Sequence, residues 1–125
     1  MPALPKEVTE AWERRQRPTV LATVSPEGVP NAIYATCVRR SGQDKIVIVD
    51  NYFDKTRSNI LAGSKGAFLL LTDEGESFQI KGTFSYEREG QTYQDMLTWA
   101  SAKNPRVAVA VLHVEEVYSG ARKLL

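Results

Sequence analysis

A chain of 125 residues is long enough for one hydrophobic core and short for two, and its 42% apolar and 25% charged content is ordinary for a globular domain. Its 16 basic residues against 15 acidic ones leave a net charge of +1, which offers no electrostatic footprint for nucleic acid or for an anionic membrane. A single Cys (Cys37) and a single His (His113) exclude a closed zinc site and an intramolecular disulfide, and no uncharged apolar run approaches the ~18 residues of a membrane span.

The charged opening stretch, from Lys6 and Glu7 to Arg14 and Arg15, lacks the pattern of a secretory leader, so a single cytoplasmic domain over residues 1–125 is expected. Residues 5–17 read as a helix, because Val8, Ala11 and Trp12 fall at i, i+3 and i+4, with Pro18 ending it. Strand-period segments follow at 19–25, 31–40 and 45–50. Turns at Pro26-Glu27-Gly28 and Ser41-Gly42-Gln43-Asp44 separate them. Residues 54–62 break that rhythm: Asp54 can cap a helix, Ile60 and Leu61 give it an apolar side, and Gly63 suits its stop.

Residues 66–72 are so apolar that both faces of the strand are expected to be covered. Along the next strand Phe78, Ile80, Phe84 and Tyr86 point one way, and Gln79, Lys81, Thr83 and Ser85 the other. Residues 90–101 carry Tyr93, Met96, Leu97 and Ala100 at helical spacing, and 106–118 form the last strand. The order αβββαββαβ predicts a mainly β fold, a six-stranded antiparallel barrel with helices at its corners.

Three features carry candidate chemistry. Asp50-Asn51-Tyr52-Phe53-Asp54-Lys55-Thr56-Arg57-Ser58-Asn59 sets two cations, a hydroxyl and free backbone N–H groups where a strand passes into a helix. That suits a phosphate, although plain helix capping with solvated Lys55 and Arg57 accounts for the same residues. Tyr34 lies mid-strand between small residues, where a planar ligand can approach the backbone. Trp99 is out of step with its helix's apolar stripe, as an interface or ligand contact or a lid on the barrel would be. Cys37 reads as a buried or half-buried small hydrophobe, and His113 as a strand histidine with a satisfied hydrogen bond. Neither glycine spacing nor strand order supports a Rossmann or P-loop site.

In combination these segments resemble the pyridoxamine-phosphate-oxidase-like FMN-binding split barrels. Asp50-Asn51-Tyr52 followed by Lys55-Thr56-Arg57-Ser58-Asn59 is similar to the strand-turn-helix of the family's small members. Phe78-Gln79-Ile80-Lys81-Gly82 is similar to its aromatic-x-Ile-Arg/Lys-Gly strand, and Trp99 to the Trp-Ala pair before the last strand. The resemblance implies a homodimeric flavoprotein holding FMN non-covalently at the subunit interface, an oxidoreductase or electron carrier with no acid or base assigned. It implies that Lys55 and Thr56 bind the FMN phosphate, with Asn59 supporting the loop. Tyr34, Ala35 and Thr36 would line the isoalloxazine, and Asp50 and Asn51 would meet its polar edge or the ribityl chain. Gln79 and Trp99 would reach in from the second subunit, and the tail Lys123-Leu124-Leu125 would help to cover the ring. The chain departs from pyridoxamine phosphate oxidases proper, with Ala32 to Cys37 in place of their Arg-x-Val-Leu-Leu-Lys strand and no C-terminal Arg-x-His segment. Deazaflavin or haem in the same barrel, and a non-catalytic binding module, remain the alternatives, and the redox partner, small molecule or protein, is open.

Overall fold

The computed structural model describes residues 3–125. Its elements run α1 (Lys6–Trp12), β1 (Thr19–Val24), β2 (Pro30–Ala35), β3 (Val38–Ser41), β4 (Lys45–Asp50), α2 (Lys55–Leu61), β5 (Gly66–Leu71), β6 (Ser77–Glu87), α3 (Gln91–Trp99), β7 (Ala108–Ser119) and β8 (Arg122–Lys123). All strand pairs are antiparallel, in the order β2-β1-β5-β6-β7-β4-β3, with the two-residue β8 added to β7. None of the three helices is long and apolar enough to cross a membrane.

The expected split barrel is observed, with one more full strand than the sequence suggested. Residues 31–40 form two strands, because the chain leaves the ladder at Thr36 and Cys37. The consequence is large. β2 and β3 are the two edges of the sheet, yet three peptide steps, no more than about 11 Å, separate Ala35 from Val38. The sheet must therefore curl until its edges meet. Closure comes from the chain itself and from the Val49 N–H donating to the Cys37 carbonyl (2.9 Å), with no β2–β3 ladder among the described residues.

The concave side holds the core. Leu21, Ile46, Ile48, Phe68, Ile80 and Leu112 are at most 1% exposed, and α1 packs Val8, Ala11 and Trp12 among them. The Trp12 ring stacks on Phe68 at 5.7 Å. α1 ends at Trp12, several residues before Pro18. What stops it is tertiary: the Gln16 N–H donates to the Leu71 carbonyl (2.6 Å), and Arg15 bridges to Thr72.

The convex side is finished unequally. Met96 of α3 is fully buried on Val47, Val49, Val109 and Val111, so β4 and β7 are covered on both faces. β5 is not, against expectation: Leu69 and Leu71 are each 42% exposed, since no helix among the described residues covers them. A bulge in β7 leaves Glu115 unpaired where Lys81 faces Glu116 and Gly82 faces Val114. At Gly82 any side chain would run into the His113 backbone. The tail also departs from expectation, because Leu124 and Leu125 pack on the main core and hydrogen-bond to Val117.

Candidate functional site

Where the sheet splits, a cleft of about 350 Å³ opens between the end of β2, the turn after β4 and the start of α2. Six of the nine expected site residues line it together: Tyr34, Ala35, Thr36, Asn51, Lys55 and Thr56. The chain reaches this point from three directions because α2 is locked by its own ends. At its C-terminus Gly63 adopts φ +94 and donates to the Ile60 carbonyl, while the Ser64 N–H reaches the Asn59 carbonyl. At its N-terminus Asp54 forms no cap, contrary to expectation; the carboxylate of Asp50 takes the Phe53 N–H instead (3.0 Å).

Asp50 itself is absent from the cleft lining. It is fully buried, and both of its oxygens are engaged by Arg57 (2.7 and 3.0 Å) and by the Tyr86 hydroxyl (2.5 Å). This network fastens β4, α2 and β6 to one another below the cleft. Arg57, read as a phosphate contact from its spacing, is committed to Asp50, which holds its guanidinium pKa well above the ordinary range. Tyr86 is pushed up by burial and by donation to Asp50, with Arg57 opposing.

Lys55 is exposed and makes no ion pair among the described residues. Beside it Thr56 is 1% exposed, and its hydroxyl oxygen accepts from the Asn31 side-chain amide (3.0 Å), so the hydroxyl hydrogen stays free for a ligand. Asn59 donates to the Thr23 hydroxyl (3.0 Å) and ties α2 to β1. Tyr34 and Tyr52, both lining the cleft, are each 77% exposed. Asn51 accepts the Arg106 N–H (3.0 Å), fixing the loop before β7. Asn31 and the Tyr52 ring were not singled out by the sequence reading. An exposed aromatic inside a turn was the available signal for Tyr52.

Cys37 is half-buried against the cluster under α3, and burial pushes its thiol up while a hydrogen bond from Asn51 partly opposes this. His113 meets the Ser85 hydroxyl at 2.9 Å, the satisfied partner expected of a strand histidine. Gln79 and Trp99 lie elsewhere in this chain. Gln79 stands on the convex face opposite Leu69. Trp99 is half-buried on its own helix's cluster, with the Arg39 guanidinium 5.6 Å from its ring, so it is not left over from the core as its spacing suggested.

Residues 4–120 match the family described as pyridoxamine 5'-phosphate oxidase. An uncharacterized protein of Methanocaldococcus jannaschii, MJ0282, is 29% identical over 104 residues, covering 79% of this chain and 70% of the relative. Among solved structures, HupZ of Group A Streptococcus superposes with a TM-score of 0.81 at 24% identity, over 93% of both chains. An FMN-binding protein of Syntrophomonas wolfei superposes at 0.70 with 21% identity, over 90% of this chain and 94% of that one. At these identities the likeness to the solved structures is one of fold.

Proposed function

The chain belongs to the pyridoxamine 5'-phosphate oxidase family, and on that premise we propose that it is a homodimeric flavoprotein whose cleft at the barrel split holds FMN. The observation that carries this reading is the pairing of an unpaired cation, Lys55, with a buried hydroxyl, Thr56, in a cleft that the β2 residues Tyr34 and Ala35 and the adjoining Thr36 also line. A phosphate suits Lys55 and Thr56, and a planar ring suits the small residues and the exposed tyrosine of the β2 side. No side chain caps α2, so its first amides add donors on the phosphate side.

Bound FMN supplies the electron or hydride transfer, and the protein binds and orients it. Lys55 and Thr56 hold the phosphate, Asn51 meets the polar edge or ribityl chain, and the backbone of Tyr34 to Thr36 lies along the ring. Asp50 acts from below, by fixing the loop that carries Lys55.

The unfinished convex face supports a second subunit. Tyr34, Val20, Leu69 and Gln79 stand side by side across β2, β1, β5 and β6, on the face that no helix covers. A two-fold copy seated there buries this row twice and excludes water from the ring. The partner's Gln79 and Trp99 are the side chains that would complete the site.

The visible spectrum of freshly purified protein tests the cofactor: paired flavin bands are expected, and a Soret band would assign haem instead. Lys55→Ala should weaken FMN by about 1.5–3 kcal/mol and leave riboflavin, which lacks the phosphate, nearly unchanged. Equal weakening of both ligands would remove Lys55 from the phosphate.

A further inference from the structure

On the far side of Thr36 and Cys37 lies a second cleft, of about 580 Å³, that shares those two residues with the first. Its charge is one-sided. Arg15, Arg17, Arg39 and Arg40 line it, and Glu13 is the one carboxylate among the lining residues. Four guanidiniums against one carboxylate is a local excess of cations in a chain whose net charge is only +1.

Of the five arginines elsewhere, Arg14, Arg57 and Arg122 sit in ion pairs with acidic residues, whereas Arg88 and Arg106 have none among the described residues. None of the four at this cleft has such a pair among the described residues. Two of them also carry an unmet demand. The Nε groups of Arg15 and Arg40 are buried and have no hydrogen-bond partner, and a buried donor left unmade is costly. Arg15 is held below the ordinary guanidinium pKa chiefly by burial and secondarily by the charge of Arg17, with Glu13 opposing.

Three of the four arginines are held in place. Arg15 lies 4.3 Å over the Trp12 ring and donates to the Trp12 carbonyl (2.8 Å), while the Arg39 guanidinium lies 5.6 Å from the Trp99 ring and Arg40 donates to the Gly42 carbonyl (3.2 Å). A guanidinium held beside an aromatic ring keeps its remaining N–H groups for an acceptor, and the guanidinium fork matches carboxylate and phosphate oxygens.

We propose that this arginine cleft binds the carboxylate or phosphate end of a small anionic substrate, whose other end reaches past Thr36 and Cys37 into the adjoining cleft. The concave shape and modest volume favour a small molecule over an extended polymer. The assignment of an anion rests on the arginines alone; its being the flavin's substrate rests on the reading of the first cleft given above.

Both tryptophans of the chain, Trp12 and Trp99, line this cleft, so intrinsic fluorescence reports on it. The test is titration of the purified protein with pyrophosphate and, separately, with citrate, at constant ionic strength. Saturable binding is expected for at least one of them, with Kd of about 1 mM or tighter. The tighter ligand tells whether phosphate or carboxylate is preferred. Arg17 and Arg39 are exposed, so R17Q and R39Q should fold, and the double variant should bind at least about tenfold more weakly. R88Q, which lies outside the cleft, should bind as the unaltered protein does. A response reproduced by sodium chloride alone, or one unchanged in the R17Q/R39Q variant, would overturn the proposal. So would a response lost in Lys55→Ala and kept in R17Q/R39Q, because the anion would then sit in the first cleft. FMN titration of the same variants separates the two readings: saturable anion binding with no FMN binding sinks the flavin assignment and leaves the arginine site standing.

Discussion

On β4 and β7 both faces are buried, whereas on β1, β2 and β5 only the concave face is. The residue types hardly differ. Val47, Val49, Val109 and Val111 point outward and disappear beneath α3, while Val20, Leu69 and Leu71 point outward and stay partly in water. The first half is therefore finished within one chain. The second presents an apolar row beside the very cleft where the family resemblance places a flat, largely apolar ring. Exposed apolar surface of this kind marks a binding or assembly face, because leaving it in water forgoes stabilisation of roughly 25 cal/mol per Å². On the proposed reading one sheet divides its labour: a half that supplies stability, and a half that supplies recognition.

Substitutions can break or sharpen that division. Met96→Ala removes the group that seals the covered half and should cost about 3 kcal/mol in a urea titration. If it cost no more than a change at exposed Leu69, the cover provided by α3 would not be what stabilises that half. Arg57→Ala should follow closely, at about 3 kcal/mol, since it strands the fully buried Asp50 carboxylate that joins the two halves at the end of β4.

Tyr86→Phe should cost about 1 kcal/mol near neutral pH, by removing one donor from Asp50. Its pH signature is more telling. Because the folded protein raises the pKa of Tyr86 above its unfolded value, the neutral phenol's contribution is complete below the ordinary tyrosine range. It is lost as pH climbs through the raised folded value. Urea midpoints measured on the alkaline side should therefore fall less steeply in Tyr86→Phe than in the unaltered protein. The smallest effect on the fold is expected at Leu69→Lys, within about 0.5 kcal/mol for the isolated chain, since the side chain already stands partly in water. The same change should abolish self-association in light scattering. A dimer that persisted in Leu69→Lys would move the interface off the bare half.

Much of the architecture was legible from the chain alone. Alternation along 78–86, the turn glycines and the helix read over 54–62 are local properties, set by side-chain period and by the φ that glycine permits. They gave the order of elements and the barrel class, while the grouping of Tyr34 to Thr36 with Asn51, Lys55 and Thr56 came from the resemblance to a known family. What the sequence left undecided depends on contacts between distant residues. Asp50 and Arg57 lie seven apart in sequence, and nothing local says that they neutralise each other under Tyr86, which makes one a tether and withdraws the other from the ligand. The break at Thr36 and Cys37 is likewise invisible to periodicity. The run from 31 to 40 reads as one strand, and only curling the sheet until its edges meet parts it there. That curl also gathers Arg15 and Arg17 beside Arg39 and Arg40, from segments some twenty residues apart. Periodicity reports which face a residue takes, whereas the partners it finds on that face are chosen by how the whole sheet closes.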